Sequence, residues 1–151
     1  YYLNHYKEHR PKIVLVEPEE SCGVFESLKN GKRMSPNTSF NTIMAGLNCG
    51  IPSKNAWEII KNGCDAVIKI SDEEVKTAMR QLYNPIGNDF KIISGESGAA
   101  GLAGLIKVLD LEKSNDLKKY LNLNKDSKIL LFNTEGDTDP DNFNKIVSKF
   151  N

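Results

Sequence analysis

The residues with the clearest chemical potential lie in the stretch SGESGAAGLAGL, Ser94 to Leu105, which otherwise has the pattern of a buried helix. A glycine inside an exposed helix costs up to about 1 kcal/mol relative to alanine, so this run indicates a close approach to the backbone. At helical spacing, small and large residues occupy opposite faces. The small face holds Ser97, Ala100, Gly101 and Gly104, and the large face holds Leu102, Leu105, Ile106 and Leu109. The pattern predicts close packing against a helix or sheet, or a ligand bound at the start of the helix.

The start of this helix carries an acidic residue, Glu96, between Gly95 and Ser97. Helix N-termini favour anions, because their amide groups lack partners and the helix dipole is positive there. Glu96 brings its own negative charge to this position, which argues against a phosphate at this end. Its carboxylate is better suited to contact a polar or cationic group. The sequence contains no GxGxxG or P-loop motif that would hold a phosphate elsewhere.

A hydroxyl residue and several acids follow the apolar run KILLFN, residues 128–133. Thr134 stands just past the carboxyl end of this predicted strand, where open α/β sheets bind ligands. The alternating acids Glu135, Asp137 and Asp139 could suggest calcium, but the glycine and the late glutamate of an EF-hand loop are missing. We therefore predict no metal site and interpret the acids as caps of the terminal helix.

A third stretch, NTIMAGLNCG at residues 41–50, has an apolar centre between polar ends. This composition predicts a partly buried loop or short helix. Taken alone, it indicates a packing segment.

The elements that must position these residues alternate between strand and helix. Strands are predicted at residues 12–17, 65–71 and 128–133, and residues 91–97 form a short strand or an extended segment. Helices are predicted at residues 19–28, 52–63 and 115–121, after Ser71, and at the C-terminus. The helix from Pro52 to Gly63 has Ala56, Ile59 and Ile60 on its apolar side. The helix after Ser71 begins with a capping box that Glu74 completes. This alternation is typical of an α/β three-layer sandwich with a mostly parallel sheet. We expect residues 1–151 to form a single α/β domain.

The composition excludes several classes of protein. Twenty basic residues balance twenty acidic ones in a chain of 151, so the sequence has no net field that would attract nucleic acid or an acidic membrane. No apolar run approaches the roughly 20 residues that a membrane-spanning helix needs. The three widely spaced cysteines fit neither a disulfide framework nor a CxxC metal site, and they predict reduced thiols in a cytoplasmic protein.

Four motifs in this order resemble the C-terminal part of the diaminopropionate ammonia-lyases. They are VEPEES, NTIMAGLNCG, NPIGNDFKIISGESGAAGLAGL and TEGDTD, and the resemblance extends over roughly residues 11–143. These lyases are fold-type II pyridoxal-phosphate enzymes, with a fold like that of the tryptophan synthase β subunit. They are related to threonine dehydratase and serine racemase. The resemblance implies conversion of 2,3-diaminopropionate to pyruvate and ammonia by β-elimination.

The resemblance also implies roles for individual residues. Met44, Ala45 and Gly46 match a loop that passes beside the cofactor ring, although the acid that many relatives carry in that loop is absent here. Glu96 matches a glutamate near the ring. Thr134 matches the serine or threonine that bonds the pyridine nitrogen. A neutral hydroxyl there would leave the nitrogen largely unprotonated, which suits β-elimination.

The lysine that binds the cofactor and the glycine-rich phosphate loop lie upstream of the matched region in this family. The resemblance therefore implies a C-terminal part that is inactive alone and contains no catalytic residue. Its expected partners are the missing N-terminal part of the same enzyme, an amino-acid substrate and, in the full-length protein, a second subunit of a homodimer. Two alternatives remain open: a stand-alone α/β module for ligand binding or assembly, and part of a threonine or serine dehydratase.

Overall fold

The computed structural model describes residues 2–6, 9–110 and 115–148. Within these ranges the chain forms two strands, β1 (Val14–Pro18) and β2 (Ala66–Ile70). The helices are α1 (Tyr2–Tyr6), α2 (Gly23–Asn30), α3 (Lys54–Gly63), α4 (Asp72–Tyr83), α5 (Ala100–Asp110), α6 (Asn115–Leu121) and α7 (Pro140–Val147). Short 3-10 turns lie at Glu19–Ser21 and Ala45–Leu47. No helix in the described part of the chain is long and apolar enough to cross a membrane.

The two strands pair in parallel, with Val14 opposite Ala66 and Pro18 opposite Ile70. Parallel neighbours need a long crossover connection, and residues 19–65 provide it with α2 and α3. The apolar runs of the sequence therefore predict both strands correctly.

Helices cover both faces of this sheet. Successive residues of a strand point to opposite faces, and Val16 and Glu17 of β1 show what lies on each side. Val16 lies against Gly104 of α5. The carboxylate of Glu17 accepts hydrogen bonds from the amides of Val24 (2.9 Å) and Phe25 (2.8 Å) at the start of α2. Helix, sheet and helix thus form three layers, as the sequence predicts.

The core lies between β2, α4, α5 and α7. It consists mainly of buried apolar side chains: Met44, Ile68, Ile70, Val75, Ala78, Met79, Ala99, Ala100, Ala103, Val108, Phe143, Ile146 and Val147. Full burial of each larger side chain contributes about 1.5 to 3 kcal/mol. Helix α4 contributes Val75, Ala78 and Met79 to this core, and all three are fully enclosed.

Local capping signals fix where several helices begin and end. The capping box at α4 is confirmed, because the Ser71 hydroxyl accepts from the Glu74 amide at 3.3 Å and the Glu74 carboxylate accepts from the Ser71 amide at 2.7 Å. Helix α2 ends at Gly31, whose φ of 69° lies in the left-handed region that favours glycine. Asp139 caps α7 by accepting from the Asn142 amide at 3.1 Å.

The predicted strand at residues 128–133 is wrong. These residues form no strand, and the described sheet contains only β1 and β2. Their apolar side chains are exposed, with Leu130 at 66% and Phe132 at 68%. An apolar run specifies a strand only when another backbone supplies the ladder of hydrogen bonds.

Two helix predictions also need correction. In α3, Ile59 is exposed rather than buried, and the buried side chain is Trp57. The helix predicted from Ser94 begins only at Ala100, because residues 96–99 form turns. The small face of α5 is the more deeply buried one, whereas Leu109 on the predicted large face is 52% exposed.

Candidate functional site

The glycine of α5 that most restricts packing is Gly104. A Cβ atom there would lie 2.6 Å from Cγ2 of Val16 in β1. The position therefore requires glycine because the sheet approaches the helix closely. A Cβ at Gly101 would meet Leu131 at an ordinary 3.5 Å. Of the two explanations for the small face, close packing against a sheet is confirmed for Gly104.

The turn that precedes α5 is small for a different reason, because residues 133–136 cross directly over it. A Cβ at Gly95 would clash with the carbonyl oxygen of Gly136 and lie 2.8 Å from Cγ of Glu135. A Cβ at Gly98 would clash with Oδ1 of Asn133. These two glycines let one loop backbone pass within contact distance of another.

Hydrogen bonds join the same two segments. The Glu135 carboxylate accepts from the Ser97 amide at 2.5 Å and from the Gly98 amide at 3.2 Å. The Glu135 carbonyl accepts from the Gly95 amide at 3.0 Å. The side-chain amide of Asn133 donates from Nδ2 to the Ile93 carbonyl at 3.1 Å. The sequence predicts Glu135 as a cap of the terminal helix, and this is wrong, because it caps the start of the α5 region instead.

The carboxylate of Glu96 points toward α7. Glu96 is buried, with 8% of its surface exposed, and its Oε1 atom accepts from the side-chain amide of Asn142 at 2.6 Å. A polar partner agrees with the prediction that this carboxylate contacts a polar or cationic group. Asn142 is absent from the sequence-based site, because 46 residues separate it from Glu96.

The loop at residues 44–46 contacts the same turn. Met44 is fully buried in the core, whereas Ala45 and Gly46 are exposed. The Gly46 amide donates to the Ser97 hydroxyl at 3.0 Å, and a Cβ at Gly46 would lie 3.0 Å from that oxygen. This bond brings the third motif of the sequence to the turn at the start of α5.

The N-terminal end of α4 holds this loop in place. The Asp72 carboxylate accepts from the Thr42 hydroxyl at 2.6 Å and from the Ile43 amide at 3.2 Å. Asp72 is a positioning group that sequence analysis missed. Its place directly after the capping Ser71 was the available signal.

Thr134 lies in the crossing segment, between Asn133 and Glu135, which both bond to the turn. Its side chain is exposed. Glu96 belongs to the turn at residues 94–98, and Gly46 bonds to it directly. In the described structure Thr134 makes no such bond itself, but both of its neighbours do. We define the candidate site as residues 44–46, 94–98 and 133–135.

Ala45, Gly46 and Thr134 are exposed in the candidate site, whereas Met44 and Glu96 are buried. A cavity of about 300 Å³ lies elsewhere, between α2 and the start of β2, and another of about 250 Å³ lies at the carboxyl ends of β1 and β2. The first is lined by Phe25, Leu28, Lys29, Cys64, Asp65, Ala66 and Val67, and the second by Pro18, Glu19, Glu20, Thr42, Ile70, Ser71, Asp72 and Glu73. Neither cavity is lined by a residue of the candidate site.

Comparison with known proteins identifies the family. The family model described as pyridoxal-phosphate dependent enzyme matches residues 2–132. This chain belongs to that family. Diaminopropionate ammonia-lyase from Escherichia coli K12 is 38% identical over 147 residues, which cover 97% of this chain and 37% of the relative. Serine racemase from Dictyostelium discoideum is 32% identical over 110 residues, covering 72% of this chain and 32% of the relative.

Solved structures of the family have the same fold as this chain. A crystal structure of Escherichia coli diaminopropionate ammonia lyase in complex with an aminoacrylate–PLP azomethine reaction intermediate superposes with a TM-score of 0.83 at 37% identity. The match covers 97% of this chain and 37% of that one. The predicted fold, an α/β sandwich of the fold-type II pyridoxal-phosphate enzymes, is confirmed. The chain spans about 37% of the length of the curated relative from Escherichia coli.

Proposed function

We propose that this chain is the C-terminal part of a pyridoxal-phosphate-dependent ammonia-lyase that converts 2,3-diaminopropionate to pyruvate and ammonia. The observation that carries the proposal is the convergence of three motifs shared with the lyases at one surface. The Gly46 amide bonds to Ser97, and Glu135, the neighbour of Thr134, bonds to the Ser97 amide. The similarity to the lyase of Escherichia coli supports this substrate.

The chemistry of the candidate site fits the ring of pyridoxal phosphate. Thr134 presents an exposed hydroxyl for the pyridine nitrogen, and the exposed Ala45 and Gly46 leave room for a flat ring. Glu96 would stand near the edge of the ring. When bound, the cofactor supplies an electron sink for the pair of electrons released at the substrate α-carbon.

The same surface does not fit the phosphate group of the cofactor. The Ser97 and Gly98 amides at the start of the α5 region already donate to Glu135. A second anion at these amides would also meet the negative charge of Glu135. We therefore propose that the phosphate anchor lies in the upstream part of the enzyme, where the resemblance also places the lysine that binds the cofactor.

The upstream part of the enzyme is also the partner that we propose for the exposed segment at residues 128–133. This segment is rich in apolar residues, and Leu130 and Phe132 are about two-thirds exposed, at 66% and 68%. Burial of apolar surface contributes about 25 cal/mol per Å², so a segment of the same enzyme would gain by covering it. We propose that residues 1–151 form one α/β domain of a cytoplasmic, homodimeric enzyme of amino-acid catabolism.

Borohydride reduction tests where the cofactor-binding lysine lies. The isolated chain and the full-length protein are each incubated with pyridoxal phosphate, reduced and analysed by peptide mass spectrometry. We expect one stoichiometric lysine adduct in the full-length protein and no site-specific adduct in the isolated chain. A single stoichiometric adduct in the isolated chain would show that the lysine lies within these residues.

Substrate choice is tested with the full-length protein. Release of the 2-oxo acid is followed with lactate dehydrogenase and NADH: pyruvate from 2,3-diaminopropionate or serine, and 2-oxobutyrate from threonine. The similarity to serine racemase makes serine the second candidate substrate. We expect the highest kcat/KM for 2,3-diaminopropionate. A higher kcat/KM for serine or threonine would assign the chain to a dehydratase instead.

A further inference from the structure

One acidic residue, Glu135, makes most of the hydrogen bonds between residues 133–135 and residues 94–98 of the candidate site. Its carboxylate oxygen Oε2 accepts from two consecutive amides, those of Ser97 and Gly98, at 2.5 and 3.2 Å. Its own carbonyl accepts from the Gly95 amide at 3.0 Å. Three hydrogen bonds thus join a single residue to a single turn.

The half-buried Glu135 side chain also packs directly against this turn. A Cβ at Gly95 would lie 2.8 Å from Cγ and 2.9 Å from Cδ of Glu135, so the glycine leaves the space that the side chain fills. Such a fit fixes the position of the carboxylate as well as its bonding. Charge-assisted hydrogen bonds to backbone amides are stronger than neutral ones.

The sequence separation shows what these bonds accomplish. A helix cap is normally the residue next to the helix, whereas Glu135 lies 38 residues from Ser97. The bonds therefore hold two distant segments together. The residue before Glu135 is Thr134, and the residue before Ser97 is Glu96. The distance between the two proposed cofactor contacts is thus set through Glu135.

We propose that Glu135 is a positioning residue that holds the Thr134 hydroxyl against the turn carrying Glu96, and so orders the ring side of the cofactor site. This inference rests on the proposed function. Glu135 acts through Thr134 and needs no contact with the cofactor. The neighbouring exposed acid Asp137 has no such contact with the turn and serves as a matched control.

The geometry predicts different effects for different substitutions of Glu135. A single oxygen accepts both amides, so the carbonyl oxygen of Glu135→Gln can keep both bonds and rescue most of the function. Glu135→Asp keeps the charge but is one methylene too short to reach them. Glu135→Ala removes both bonds and leaves the turn amides without an acceptor.

The test is a double-mutant cycle on the full-length protein, with the dissociation constant of pyridoxal phosphate measured by absorbance titration of the apoenzyme. We expect Thr134→Val and Glu135→Ala each to raise this constant about tenfold. Because both substitutions act through one hydroxyl, the dissociation constant of the double variant should be at most about twofold higher than that of the weaker-binding single variant. Glu135→Gln and Asp137→Ala should remain within about threefold of wild type.

The outcomes separate this inference from the proposed function. Wild-type protein that does not bind pyridoxal phosphate would refute the proposed function. Wild-type binding together with multiplicative effects of the two substitutions, or with no effect of Glu135→Ala, would refute only the role of Glu135. If Glu135→Ala does not fold, Glu135→Asp replaces it, and equal dissociation constants for the Asp and Gln variants would overturn the proposal.

Discussion

A substitution at Gly104 tests the packing on which the site depends. In Gly104→Ala the new methyl group would lie 2.6 Å from Cγ2, 3.1 Å from Cγ1 and 3.5 Å from Cβ of Val16. A change of the valine χ1 rotamer can remove the 2.6 Å contact, but it leaves a methyl group at the 3.1 Å position, which is still tighter than ordinary van der Waals contact. The substitution therefore forces either a less favourable valine rotamer or a small separation of helix α5 from strand β1.

The expected cost follows from overpacking in a core. One extra methyl group in a tightly packed site costs about 1 to 3 kcal/mol. Alanine has the higher helix propensity and returns up to about 1 kcal/mol, so with the full return the net loss is about 0 to 2 kcal/mol. Urea unfolding followed by circular dichroism measures this as a lower midpoint with an unchanged slope.

The same helix offers a matched control at Gly101. A Cβ there would lie at an ordinary contact distance of 3.5 Å from Leu131, so Gly101→Ala should be neutral or stabilising by up to about 1 kcal/mol. Val16→Ala should rescue Gly104→Ala, and the coupling between the two should exceed about 1 kcal/mol. Equal effects at Gly101 and Gly104, or strictly additive effects with Val16, would refute the argument from close approach.

Two further predictions concern the groups that hold the sheet and the helices. Burial raises the pKa of Asp65, but hydrogen bonds from Arg10, the Ile13 amide and Lys12 outweigh it and lower this pKa from 3.8 to about 2. The folded state therefore binds the proton less tightly than the unfolded state, so this stabilisation is complete above the unfolded pKa of 3.8 and is lost as the pH falls through about 2. Asp65→Asn should remove about 2 kcal/mol of stability at neutral pH and flatten the unfolding profile between about pH 4 and 2, and an unchanged acid profile would contradict the assignment. Ser71→Ala should destabilise by about 1 kcal/mol through loss of the capping box, whereas Ser71→Asp, which can still cap, should recover most of it in thermal unfolding.

The parts of the fold that depend on neighbouring residues were predictable. The capping box of Ser71 and Glu74, the αL glycine at Gly31 and the apolar runs of β1 and β2 are local signals, and the structure contains all of them. Local signals suffice here because a cap or a turn is completed within four residues.

The strand prediction at residues 128–133 was wrong because a strand, unlike a cap or a turn, is not completed by neighbouring residues. The run has the composition of a buried strand, but a strand also needs a second backbone for its hydrogen bonds. The apolar composition indicates that pairing with a second strand would be favourable, but it does not show that such a strand is present. Leu130 and Phe132 stay exposed because the described residues provide no surface that buries them.

Local patterns in the sequence were enough to predict most of the order of elements, the layered α/β class and the resemblance of four motifs to the family. Three contacts depend on how the layers pack: Gly104 faces a strand, Glu96 bonds to Asn142, and Glu135 bonds to the turn before α5. Each of these contacts joins residues far apart in the chain. The packing of the layers determines which of these residues meet, and local propensity contains no information about contacts between residues distant in sequence.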